Sequence, residues 1–483
     1  MSRNSGRENI KNMKILIAGG TGYTGRHLVE RFIEEGRVSL KLLEWDPRRA
    51  GDELGKGIEI INGNTEDKGV MDEACHGVHT AYYLVNFIDT DPALEKLNLK
   101  IARRFRNACV KNRVKRIIYC SDLPASASSP GINQSRKKIA DVLQKYPDKI
   151  QTIWIRHGII IGAGSLDFEI LNSLAERRRI LIFKWMSQRA AVTGIDDLSE
   201  ILKLSLGRKL KGNLKIDMYS GAASYDEMLK MIEKEKNISR KRKYLHYNYS
   251  PAASLYLTIC TPVHFSVAGE LISRISSPIR KGEKVKNFFP KVTFHSIEDA
   301  VRKALKDVEE RIESGRWCDC YSGSNCRFED ESAIPSNALY DRREVSFSGL
   351  SSEAVFSSVM DTGGTKGWFS YTFLWQIRGL IDKFAGGYGL NRGKRNSRKF
   401  RVGDSIDVWR VADLEENKRL LLYAHMKLPG RGWLEFIVKE SSLIQTAYFE
   451  PYGIKGRIYW IMMLPFHGLI FKDMARKIIE RAG

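Results

Sequence analysis

Residues 14–25 read Lys-Ile-Leu-Ile-Ala-Gly-Gly-Thr-Gly-Tyr-Thr-Gly. Ile15 to Ala18 form a short apolar run without polar alternation, the pattern of a strand covered on both faces in a parallel sheet. Gly19, Gly22 and Gly25 follow at three-residue spacing, and His27, Leu28, Val29, Phe32 and Ile33 then repeat at helical spacing. Strand, glycine turn and helix in this order are the context that a dinucleotide-binding fingerprint requires. Gly19 allows the tight turn, Gly22 lets the backbone approach a pyrophosphate, and Gly25 lets the helix pack close to the strand. The helix start adds free N–H groups and a positive dipole end for the phosphates.

The rest of the chain must be built around that unit. At 483 residues it exceeds one ordinary core, so two or three domains are expected. Hydrophobic residues at 43% and charged residues at 28% are those of a globular chain. The formal net charge is +22, but the basic residues are spread along the chain, with the densest cluster at Arg392 to Arg401. Nucleic acid is therefore not an expected partner, and Phe400 is the lone aromatic in that cluster. The cysteine count is odd, at seven, without a regular framework, which predicts a reducing, cytoplasmic setting. Residues 1–13 lack an apolar core and read as a disordered tail, not a signal peptide. Ile458 to Phe471 is shorter than the ~20 residues of a membrane span and contains Pro465, so no transmembrane segment is expected.

Further strands are expected at 39–43, 58–61, 81–85, 116–120 and 152–155, alternating with helices such as Leu94 to Lys111. Such alternation predicts a doubly wound parallel sheet with ligands over the carboxyl ends of its strands. The second strand ends at Glu44, placed to accept hydrogen bonds from the adenosine ribose, which points to NAD. Arg48 and Arg49 keep NADP open, because a guanidinium grips a 2′-phosphate.

These residues resemble the atypical short-chain dehydrogenases/reductases, the NmrA-like and epimerase-like branch. Gly-Gly-Thr-Gly-Tyr-Thr-Gly matches its opening motif, Trp45-Asp46-Pro47 stands where that branch has Arg-Asp-Pro, and Gly63-Asn64 where it has Gly-Asp. The resemblance covers about residues 14 to 310. It implies a Rossmann-like fold that binds NAD or NADP through Gly19, Thr21, Gly22, Tyr23, Thr24, Gly25, Glu44, Asn64 and Val85. It also implies a catalytic Ser after the fifth strand, matched by Ser121, and a Tyr-x-x-x-Lys pair on the next helix. The tyrosine is missing. With Arg136 in the lysine position Ile132 replaces it, and with Lys138 there Gln134 does. Ser121, Arg136 and Lys138 are the candidate catalytic residues, with Asp122, Tyr82, Tyr83 and His157 as substitutes for the proton donor.

The substrate-side part, about residues 151–313, is expected to carry a strand at 191–195, a helix at 198–206 capped by Asp196-Asp197, and a strand at 292–295. Ser296 is the expected N-cap of a closing helix at 297–311. Ala252 to Pro278 reads as apolar helices, and 314–336 as a linker whose Cys318, Cys320 and Cys326 lack the spacing of a zinc site.

From residue 337 the apolar period changes to two. Leu434, Phe436 and Val438 alternate with Glu435, Ile437 and Lys439, Pro429 to Gly432 reads as a turn, and 369–383 and 458–479 read as helices. This half resembles an uncharacterised START-like (helix-grip) domain through Trp375 to Gly379, Gly386 to Gly389, Gly403 to Arg410, Met426 to Gly430 and Pro465 to His467. The resemblance implies an α+β domain around an apolar cavity, with Arg378, Asp404, Asp407, Arg410, Glu435 and His467 as polar lining. The expected whole is an NAD(P)-binding domain at 14–313 joined to a helix-grip domain at 337–483. It would be an oxidoreductase-like protein for a lipophilic carbonyl or hydroxyl substrate, or a non-catalytic redox sensor or ligand-binding regulator. A homo-oligomer is left open.

Overall fold

The computed structural model describes residues 10–44, 46–51, 57–63, 67–85, 92–123, 132–246, 250–275, 284–310, 312, 314–320, 330–363, 367–368, 372–384 and 400–483. The chain divides into two units, 1–261 with 266–328, and 329–483 with 262–265.

The first unit is built on β1 (Met13–Ala18), α1 (Tyr23–Glu35), β2 (Val38–Glu44), β3 (Glu59–Asn62), α2 (Lys68–Cys75), β4 (Thr80–Tyr83), α3 (Pro92–Lys111), β5 (Arg116–Asp122), α4 (Ile132–Leu143) and β6 (Gln151–His157). After β7 (Ile159–Ile161) come α5 (Leu166–Ala175), β8 (Arg179–Phe183), β9 (Ala190–Gly194), α6 (Ile195–Gly207), β10 (Leu214–Met218), β11 (Gly221–Ala223), α7 (Tyr225–Glu235) and β12 (Lys241–Leu245). Helices α8 (Ser250–Cys260), α9 (Phe265–Ile275) and α10 (Ile297–Glu309) follow.

Seven strands form one sheet in the order β10-β6-β5-β4-β1-β2-β3, and every pairing is parallel. The order reverses beside β1, which places the topological switch point at the glycine turn. Burial on both faces explains the unalternated run: Ile15 and Ile17 pack with Leu28, Val29 and Phe32 of α1 and Leu198, Ile201 and Leu202 of α6. Leu16 and Ala18 pack on the opposite face with Met71, Ile101, Phe105 and Ile139 of α2, α3 and α4. Two small sheets, β11-β9-β7 and β12-β8, complete the unit.

Several sequence expectations need correction here. Residues 292–295 form no strand, because the His295 amide is taken by the Asp197 carboxylate rather than by a neighbouring strand. Asp196 and Asp197 lie in the first turn of α6, whose N-cap is Gly194. Ser296 does cap α10, accepting from Asp299 N at 3.0 Å. The first unit reaches into the expected linker: Arg316 Nε and Trp317 Nε1 both donate to Glu169, at 2.5 and 2.8 Å. Cys318 is buried, and Cys326 lies outside the described residues.

The second unit contains β13 (Leu339–Ser346), α11 (Ser352–Met360), α12 (Thr372–Phe384), β14 (Ser405–Ile406), β15 (Trp409–Glu415), β16 (Arg419–Ala424), β17 (Gly430–Val438), β18 (Ser442–Pro451) and α13 (Gly453–Ala482). Its six strands form an antiparallel sheet in the order β13-β18-β17-β16-β15-β14. Leu434, Phe436 and Val438 face a core shared with Met474, Ala475 and Ile478 of α13 and Val355 and Val359 of α11. The expected turn at 429–432 is shorter, since Gly430 already pairs with Pro451. An added Cβ at Gly430 would meet Glu450 O at 2.2 Å, so the glycine permits close strand approach rather than a bend. α13 is one helix that runs through Pro465.

Candidate functional site

The site begins where β1 meets α1. Gly19 has φ +87°, a conformation that favours glycine. A Cβ there would lie 3.0 Å from Leu84 C and 3.2 Å from Val85 N, so the turn presses on the backbone leaving β4 and brings Gly19 beside Val85. Gly22 is the N-cap of α1, and its amide donates to Gly19 O at 3.2 Å. A Cβ at Gly25 would sit 2.1 Å from Gly19 O, so only glycine lets the helix start lie against the turn. Gly22 and Thr24 remain partly exposed at this end, whereas Tyr23 is buried and stands edge-on to His27, ring centroids 5.0 Å apart. No carboxylate of α1 occupies its first turn. The result is a cradle of main-chain amides at a positive dipole end, shaped for a pyrophosphate.

Glu44 is drawn into this turn. Its carboxylate accepts from Thr21 N at 3.0 Å and from Thr21 Oγ1 at 2.9 Å. Burial raises its pKa, against the pull of Arg49, Thr21 and Arg26. Two lone pairs therefore already serve the protein, and a ribose would use those that are left. Arg48 forks onto Asp46, with Nε to Oδ1 at 3.0 Å and Nη2 to Oδ2 at 2.9 Å. The buried Arg49 gives its carbonyl to Arg26. Asn64 lies outside the described residues. Sequence reasoning missed Arg26, which is buried and donates through Nε to Thr21 O at 3.1 Å. The signal was a cation one residue after the third glycine, on a face that has to pack.

Of the candidate catalytic residues, Ser121 sits at the carboxyl end of β5, and Arg136 and Lys138 lie on α4. Ser121 is fully buried and its Oγ accepts from Trp154 Nε1 at 2.9 Å. Arg136 is buried as well, with Nε 3.9 Å from Asp122 Oδ2, so Ser121, Asp122 and Arg136 are gathered together. Lys138 is not among them: it lies on the outer side of α4 and pairs with Glu95 of α3 at 2.5 Å. Tyr82 donates to Leu202 O at 3.0 Å, and burial holds the phenols of Tyr82 and Tyr83 well above their ordinary range. Both are sealed in the core as structural side chains.

His157, the register partner of Asp122, is better placed. Its Nδ1 donates to Gly158 O at 2.8 Å, since a carbonyl only accepts, which leaves Nε2 as the basic nitrogen. Burial lowers its pKa, opposed by Asp122. Burial pushes Asp122 up, but Arg274, His157 and Arg136 outweigh it and hold the carboxyl at about 2. Arg274 was also missed by sequence reasoning. From α9 it donates to Asp122 Oδ1 at 2.7 Å and to both oxygens of Asp167 at 2.7 and 2.9 Å, while Tyr225 OH donates to Asp167 Oδ1 at 2.6 Å. A cation in a stretch expected to form apolar helices was its one visible sign.

In the second unit the expected lining residues serve separate bonds. Asp404 accepts from Arg401 N at 2.9 Å, Asp407 from Trp368 Nε1 at 2.8 Å, and Arg410 pairs with Glu331 at 3.2 Å. Glu435 receives Arg419 and Tyr448, His467 is wedged against Trp460 and Phe471, and Arg378 lies over the Tyr459 ring at 5.7 Å.

Comparison with known proteins agrees with the glycine cradle. Residues 19–153 match a family described as NAD(P)H-binding. Residues 333–474 match one described as a protein of unknown function, DUF2867. Among solved structures, the triphenylmethane reductase of Citrobacter sp. is 15% identical, over 61% of this chain and 100% of its own, at a TM-score of 0.50. The UDP-glucose 4-epimerase of Thermotoga maritima, solved with UDP-glucose, is 13% identical over 62% of this chain and 100% of its own, also at 0.50. At such identities they share the fold. The first unit therefore carries an NAD(P)H-binding domain on a Rossmann-like fold. The second is an antiparallel-sheet domain. Among the described residues no helix is long and apolar enough to cross a membrane.

Proposed function

We propose that the chain is an NAD(P)-dependent oxidoreductase acting on a lipophilic carbonyl or hydroxyl substrate, with the second unit as a helix-grip domain that stores or presents it. The observation that carries this reading is the cradle itself: Gly25 against Gly19 O, and Gly19 against the backbone of Leu84 and Val85. A bound nicotinamide supplies hydride transfer. Gly19, Gly22, Thr24 and Val85 border the dinucleotide, and the remaining lone pairs of Glu44 take the adenosine ribose, which favours NAD. Arg136 holds Asp122 beside Ser121, Arg274 fixes the same carboxylate from the other side, and the neutral His157 exchanges a proton at Nε2 in place of the missing tyrosine.

A second reading has its own observation. Ser121 is fully buried on Trp154 and Tyr82 and Tyr83 are sealed in the core, as expected of a non-catalytic sensor of the NAD(P) redox state. Absorbance at the nicotinamide band, with NADH and NADPH and a panel of lipophilic aldehydes and ketones, separates the two. Turnover that falls at least ~100-fold in His157→Gln supports the enzyme. Tight cofactor binding without turnover on any member supports the sensor. Absence of binding by a folded protein overturns both.

A further inference from the structure

α13 is apolar on two opposite faces. Gly456, Trp460, Ile470 and Phe471 are on its buried side. The other side leaves Ile454 at 76%, Ile458 at 51%, Ile461 at 65% and Met462 at 59% exposed. These four recur at the spacing of one helical stripe. By the same periodicity the exposed Lys455 and Arg457 fall on its two flanks, and from Pro451 to Lys472 the chain holds no acidic residue.

α12 repeats the arrangement. Phe373, Ile377 and Ile381, at intervals of four, are exposed at 56%, 51% and 55%. Arg378 beside them reaches the Tyr459 ring of α13, so the two helices are neighbours. The first acidic residue of α12, Asp382, is buried and accepts from Lys427 N at 2.8 Å.

We infer that α12 and the first half of α13 form a docking face for an anionic lipid bilayer, on which the helices lie in the interfacial plane. The chemistry selects that occupant. A stripe of isoleucines and methionine flanked by cations is the pattern of a helix that rests in the headgroup region, where Lys and Arg bury their stems and keep their charges in the headgroups. A second copy of the chain seated on the same face would add its own Lys455 and Arg457 and no carboxylate from 451–472 to offset them. Anionic headgroups supply that opposite charge.

The experiment is co-sedimentation of the full chain with phosphatidylcholine vesicles, with and without phosphatidylserine. Binding is expected on the anionic vesicles, weakening as salt rises. Ile461→Asp is expected to lower it by roughly tenfold or more, and Lys455→Ala with Arg457→Ala by a similar factor on anionic vesicles alone. An unchanged melting temperature establishes that Ile461→Asp folds; where it does not, the paired alanine variant carries the test. Failure to bind either vesicle, or binding indifferent to these substitutions, overturns the inference. So does a dimer in sedimentation velocity that Ile461→Asp dissociates, which would assign the stripe to a second copy.

Discussion

Near the cradle, Glu44 bears on cofactor binding and His27 on the pH dependence of stability. The Glu44 carboxylate takes both the amide and the hydroxyl of Thr21. Glu44→Ala leaves those donors without that acceptor, and a buried hydrogen-bonding group deprived of its partner costs about 1–3 kcal/mol. Weaker binding of NADH and NADPH alike is expected from the loosened turn. Glu44→Gln separates the roles: it keeps the size and one acceptor but removes the charge. If the charge also selects the cofactor, fluorescence titration will show NADH losing affinity while NADPH gains; equal losses make Glu44 a turn brace alone. His27, on α1, has Nε2 buried without a hydrogen-bond partner among the described residues. Burial lowers its pKa to about 4; Asp196 opposes this, while Lys303 and Arg31 add to it. The folded chain then takes up its proton later than the unfolded chain, whose histidine titrates near 6.5. Stability is therefore full above that value and is lost as pH falls from about 6.5 towards 4. His467 of the second unit, also near 4 through burial, acts with the same sign. Urea midpoints across this window should fall on acidification, and His27→Leu should remove its share of the first unit's slope, to which His157, also lowered by burial, adds with the same sign.

At the scale of elements, the β1–turn–α1 unit is the most constrained. Gly25→Ala puts a methyl carbon where Gly19 O stands, 2.1 Å away, and a backbone carbonyl cannot swing aside as a flexible side chain does. A loss of about 1–3 kcal/mol or more is expected, with dinucleotide binding abolished before folding is. Chemical denaturation beside a binding titration checks it, and a variant that binds normally would remove the close packing from the account. This element was legible in the sequence because local residues decide it: strand, spacing and helix period lie within twenty-one residues, 15–35. The seven parallel strands were partly legible for the same reason, as unalternated apolar runs. The network at β5 and β6 was not. Ser121, Asp122 and Arg136 lie near one another in the chain, but Arg274 reaches Asp122 from 152 residues away, and no local pattern records that pairing. Lys138 was grouped with Arg136 by register alone, and helix geometry sends the two to different sides. At 292–295 the apolar alternation promised a strand, and the distant Asp197 took the His295 amide instead. β17 read as alternating, yet Glu435 is buried by Arg419 and Tyr448 from its neighbouring strands.

Over the whole molecule, the two units have separate cores. Parallel strands with helices on both faces bury one set of side chains, and an antiparallel sheet under α11 and α13 buries another. Units with their own cores unfold as separate cooperative transitions. Residues 1–328, which keep the short 262–265 segment of the second unit, and 329–483, produced apart, are therefore each expected to fold, and calorimetry of the intact chain is expected to resolve two transitions. A dinucleotide that binds only the folded first unit stabilises that unit by RT ln(1 + [L]/Kd), about 2.7 kcal/mol at a hundredfold excess over Kd. Adding NADH or NADPH should accordingly raise one transition and leave the other in place, in the intact chain as in the separate pieces. A second transition that moves with the first in the intact chain but stays fixed in the isolated 329–483 piece would mean that cofactor binding is coupled to the second unit. That outcome is what a redox sensor requires, since a ligand shifts a distant element only through free energy shared between them. Independent transitions in both settings would instead leave the dinucleotide as a local cofactor of the first unit, the arrangement an oxidoreductase needs.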